Sequence, residues 1–90
     1  MPVSTREHEL VQKTVEQASE EEKEALKAEA EEVLAHINFQ MGKTFLSKEE
    51  SKAANIAIET LVRIEAIEKG KGWWFRAKRR VQLTQMYLGN

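Results

Sequence analysis

The side chains in this sequence that could act on a substrate are fifteen glutamates, two histidines, four serines and five threonines, with no aspartate and no cysteine. Nucleophilic catalysis needs a nucleophile, a base within reach, and a third group that orients the base. Ser4, Ser19 and Ser47 each open an S-x-x-E motif, a helix-capping pattern that already accounts for the hydroxyl. The fourth serine, Ser51, lies in a polar stretch with no base beside it. Glu32 stands one helical turn before His36, but the carboxylate-bridged metal bundles use Glu-x-x-His, and position 33 is Val. Two side chains do not hold a metal, and His8 sits between Glu7 and Glu9 where a first helical turn meets water.

The glutamate runs, such as Glu20 to Glu22 and Glu31-Glu32, read as solvated helix faces rather than acid and base separated by burial. Gly70-Lys71-Gly72 is a two-glycine turn, far short of a phosphate-binding loop. The sequence therefore predicts no catalytic residue, no metal and no cofactor: a chain that binds rather than catalyses.

Binding chemistry gathers in residues 68–80, EKGKGWWFRAKRR. Residues 1–68 hold all fifteen glutamates against eight Lys and Arg, whereas residues 69–90 hold six cations and no acid, so a formal net charge of −1 conceals two oppositely charged segments. Trp, Phe, Met and Arg are the residues enriched at the centres of protein interfaces. A protein partner is expected to meet Trp73, Phe75, Arg76, Arg79, Arg80, Leu83 and Met86, with an acidic surface on the partner.

The alternative is a nucleic acid, its phosphates held by Lys69, Lys71, Arg76, Lys78, Arg79 and Arg80 while an aromatic stacks on a base. A third reading buries the same apolar residues in a homodimer or within the fold. Anionic membrane binding is the weakest reading, because the apolar residues of this segment do not form one broad face.

The elements that would position these groups are helices. Helix 1 is expected over about 5–18, with Leu10, Val11, Thr14, Val15 and Ala18 on one side. Helix 2, about 20–41, carries Leu26, Ala30, Val33, Leu34, Ile37 and Met41 on a stripe and is closed by Gly42. A short connection through Phe45 and Leu46 leads to the Ser47 cap and helix 3, about 48–69. Helix 3 is apolar over more than half its circumference, with a narrow polar strip at Lys52, Asn55, Glu59 and Arg63, which marks it as the central helix.

Helix 4, about 73–88, repeats Trp74, Ala77, Val81, Thr84 and Leu88 at intervals of 3 and 4, the seam of a packed helix. That seam is expected to face the core, leaving Phe75, Leu83 and Met86 on the far side. The fold class is thus all-α, a compact antiparallel bundle of four helices forming a single domain over 1–90. Ninety residues would bury roughly 60–70% of their extended surface, enough for a core without a roomy enclosed pocket. The absence of cysteine, of a secretory signal and of a membrane span leads to the expectation of a soluble, cytoplasmic protein.

Overall fold

Four helices form where the capping and apolar spacing place them: α1 (Thr5–Gln17), α2 (Glu20–Met41), α3 (Lys48–Lys69) and α4 (Trp73–Leu88). The computed structural model describes residues 5–41 and 47–88, with side chains described for 9–38 and 47–88. No strand occurs among the described residues. The expectations on the Ser4 cap, His8, the Met41 side chain, the Gly42 helix end and the Phe45-Leu46 connection lie outside what is described.

Two of the three capping motifs close as reciprocal boxes. At α2 the Ser19 amide donates to Glu22 Oε1 at 3.3 Å, and the Glu22 amide donates to Ser19 Oγ at 3.2 Å. At α3 the corresponding Ser47 and Glu50 distances are 3.0 and 3.1 Å. Each box satisfies two of the backbone donors that a helix start leaves unpaired. At the other end of α3, Gly70 takes φ 64°, ψ 35°. Its amide donates to Ile67 O at 3.2 Å, and the Lys71 amide reaches back to Ala66 O at 2.9 Å. This is a Schellman ending, and the left-handed residue it requires is glycine because a Cβ there would crowd the following carbonyl.

Helix α3 is central: it packs on α1, α2 and α4, while α2 also meets α4. Lys27, in the N-terminal half of α2, bonds Glu68 at the C-terminal end of α3 at 3.2 Å, the pairing of antiparallel neighbours. The main core joins Ala30, Leu34 and Ile37 of α2 to Ala54, Ala57, Ile58, Leu61 and Val62 of α3, and Leu83 of α4 closes it. A smaller cluster pins α1 through Val11 and Val15 to Ile64, with Leu26 and Ile56 at its edge. Burying each of the larger side chains contributes about 1.5–3 kcal/mol before chain entropy is set against it. The radius of gyration, 12.7 Å, is that of a compact globule of this length.

Three expectations about faces change. Leu10 is exposed, and Thr14 is exposed with its Oγ1 donating to Leu10 O at 2.8 Å, so α1 contributes a narrower stripe, Val11 and Val15. The polar strip of α3 does not stay together: Lys52 is exposed, Asn55 and Arg63 are half-buried, and Glu59 is only 1% exposed. The third change, the rotation of α4, determines the site.

Candidate functional site

Helix α4 begins directly after the Schellman turn, and the Arg76 amide bonds Gly72 O at 3.2 Å across its first turn. Its inward face is not the 3-4 seam. Trp74 is 71% exposed and Val81 57% exposed, whereas Leu83 is 3% exposed and lies in the main core. Tyr87 and Leu88 pack against that core from its edge, so of the expected seam only the last residue reaches it. On a wheel of 100° per residue, the inward arc runs through Arg76, Arg80, Leu83 and Tyr87, and the outward arc through Trp74, Lys78, Val81 and Gln85.

The inward arginines explain this rotation. Arg80 donates to Glu59 through Nε at 2.8 Å and Nη2 at 3.1 Å. The same carboxylate takes Arg63 Nε at 2.8 Å from one turn along α3. Arg79 forms a second fork with Glu65, at 2.7 and 3.3 Å, and its Nη1 reaches Gln82 Oε1 at 3.3 Å. The Glu65 carboxylate beside it raises the Arg79 guanidinium above its ordinary value, so this side chain is held charged. Among the described residues, every buried side-chain nitrogen and oxygen has a partner. Paired, hydrogen-bonded burial is the only form in which a carboxylate such as Glu59 is tolerated inside a fold.

These contacts redistribute the residues singled out in the sequence. Leu83 belongs to the core and is not open to a partner, because it is buried in one cluster with Leu34 of α2 and Ile58 of α3. Arg79 and Arg80 are spent on Glu65 and Glu59 and act as internal ties. Arg76 is half-buried and lines, with Gln12 and Glu16 among others, a cleft of about 70 Å³, and Phe75 is half-buried with Lys69 Nζ 5.5 Å above its ring. Trp73 and Met86 are exposed, at 69% and 60%. Of the cations considered for phosphates, Lys69, Lys71 and Lys78 are exposed.

Sequence reasoning missed Trp74 and Val81, which it assigned to the core. A signal was present: a central helix leaves little solvent for its polar strip, so Glu59 needed cations, and α4 carries four, Arg76, Lys78, Arg79 and Arg80, without a single acid.

The open surface that results is aromatic at one end. Trp73 and Trp74 meet edge to face, ring centroids 5.8 Å apart and planes at 88°. Four of the six large apolar side chains exposed among the described residues, Trp73, Trp74, Val81 and Met86, belong to α4.

On the opposite side of α3, α1, α2 and α3 enclose an open groove of about 410 Å³, lined by Val11, Val15, Leu26, Val33 and Ile56 with Glu29 at its rim. It continues into a wider cleft of about 600 Å³ that shares Glu29, Val33 and Ala53 and adds Glu32, His36 and Glu49. His36 is exposed there, and no group of three or more metal-binding side chains occurs among the described residues. No described helix is long and apolar enough to cross a membrane.

Comparison with protein-family models, with curated proteins and with solved structures finds no match.

Proposed function

We propose that this chain is a small, non-enzymatic interaction protein of the cytoplasm whose protein partner docks on the outward face of α4. The observation that carries this reading is the tryptophan pair. The chain has two Trp residues, and both stand about 70% exposed, side by side at the start of one helix. Each indole offers up to roughly 250 Å² of largely apolar surface, and Trp is the residue that most often dominates binding energy at an interface centre. Val81, two turns on, extends the patch, and Lys71 and Lys78 supply cations at its margin. The partner's matching surface is apolar with carboxylates around it. Location in the cytoplasm is supported by the lack of cysteine.

The nucleic-acid reading uses the same helix but has lost support. Two of its six cations are forked onto carboxylates, and the Glu-rich α2 presents like charge to phosphate. What remains in its favour is that a Trp pair can also stack on bases.

The experiment is affinity capture with wild type and with Trp73→Ala and Trp74→Ala, followed by hydrogen-exchange mapping of the purified complex. Protection on 73–86 that disappears in both variants, with thermal stability retained, supports the reading. Salt-dependent binding of single-stranded or duplex oligonucleotides, lost in Lys71→Glu and Lys78→Glu, replaces it with the nucleic-acid reading.

A further inference from the structure

We propose that a second copy of this chain is an occupant of the α4 face, and that the two copies associate head to tail: the Trp74–Lys78–Val81 face of one seats on the acidic-rimmed groove between α1, α2 and α3 of the next. The proposal rests on the reading of α4 as a docking face and names what it docks on.

The two surfaces are complementary in shape and in sign. Trp74 and Val81 project from one side of α4 about 10 Å apart along its axis, with Lys78 between them. The groove offers half-buried apolar walls from Leu26, Val33 and Ile56, carboxylates of Glu29 and Glu32 along one edge, and Glu49 beyond. A ridge of aromatic, lysine and valine matches a trough of aliphatic side chains rimmed with glutamate. The charge division of the chain has the same polarity: residues 69–90 hold six cations and no acid, and the preceding 68 hold an excess of glutamate. Opposite patches on one molecule steer identical molecules toward each other.

The contact cannot be made within one copy. Three of the groove's α3 residues, Ala53, Ala57 and Thr60, lie roughly 100–160° round that helix from Glu59, to which Arg80 ties α4. Nor does a symmetric α4-to-α4 dimer fit, since it would set Lys71 and Lys78 of both copies around one seam on a helix with no acid to offset them. The remaining arrangement uses two different patches. Such an interface leaves one groove and one ridge free at the ends, so it propagates into a ring or an open chain rather than stopping at two.

The test uses two variants made at exposed positions. One is Trp74→Ala with Lys78→Glu, which disables the ridge; the other is Glu29→Lys with Glu32→Lys, which disables the rim. Sedimentation and light scattering follow the mass of each, at about 0.05 M and about 0.5 M salt. Wild type is expected to grow in mass with concentration beyond the dimer, with association at least tenfold weaker in the higher salt. Each variant alone is expected to be monomeric, with helix content unchanged. Mixed, they are expected to form a one-to-one dimer that grows no further, because one intact ridge meets one intact groove.

Wild type that stays monomeric at about 1 mM overturns the proposal, as does association that mixing the two variants fails to restore. Monomeric wild type leaves the docking reading of α4 standing, because that reading is judged by capture and exchange mapping. Loss of both the captured complex and the self-association would remove the two together.

Discussion

Arg80 and Glu59 face each other across the α3–α4 interface with two hydrogen bonds of 2.8 and 3.1 Å, and the Glu59 side chain is 1% exposed. This pair, 21 residues apart in sequence, fixes which side of α4 is available to a partner. The consequences can be measured.

Glu59→Ala should destabilise the fold by about 3 kcal/mol, because it breaks a buried pair and leaves a gap. Glu59→Met should recover much of that loss, since an apolar side chain of similar size fills the space while Arg63 and Arg80 turn toward solvent. A double-mutant cycle on Glu59 and Arg80 in urea is expected to give a coupling of about 1–3 kcal/mol. Coupling near zero would mean that the fork does not hold α4.

The rotation of α4 predicts a contrast between neighbours. Leu83→Ala should cost about 2–5 kcal/mol, whereas Val81→Ala should fall within about 0.5 kcal/mol of wild type. Solvent exposure of both indoles should also give red-shifted emission that iodide quenches readily. A costly Val81→Ala beside a silent Leu83→Ala would restore the 3-4 seam as the buried face.

Gly70 and Gly72 differ although they are two residues apart. Gly70 needs its positive φ, and Gly70→Ala should cost about 1 kcal/mol. Beyond the neighbouring residues no atom would lie within 4 Å of a Cβ at either glycine, so Gly72→Ala should be neutral or gain up to about 1 kcal/mol by restricting the unfolded chain. Thermal melts of the two variants decide the matter, and equal effects would argue against the Schellman turn.

The α3 cap carries a pH dependence. The Glu50 carboxyl is held below its ordinary range, first by the Ser47 amide and then by the Ser47 hydroxyl. Its folded value therefore lies under its unfolded one, so the stabilisation is complete above the unfolded carboxylate range and disappears as pH falls through the folded value. An NMR titration should place Glu50 below the ordinary glutamate range, and Ser47→Ala should move it upward. Glu50→Gln should flatten stability against pH in the acid range; an unchanged slope would show that the box contributes nothing there.

Much of this architecture was legible without coordinates because it is local. The Ser19 and Ser47 boxes act over three residues, the glycine break after Lys69 is a matter of one residue's φ, and the apolar stripes of α2 and α3 repeat at the helical period. Helix positions, the central place of α3 and the opposing charges of the two segments follow from such short-range rules.

The face that α4 turns inward is a different kind of question. Two arcs of similar apolar content compete, and nothing within α4 chooses between Trp74 with Val81 and Leu83 with Tyr87. The choice is made by Glu59 and Glu65, residues on another helix. Burying Trp74 would gain about 1.5–3 kcal/mol, while leaving Glu59 buried without Arg80 costs about as much or more, and Leu83 fills the core in the bargain. Tertiary pairing of charge therefore outweighed the periodic seam, sending the tryptophans of GWWFRAKRR outward and two of its arginines in.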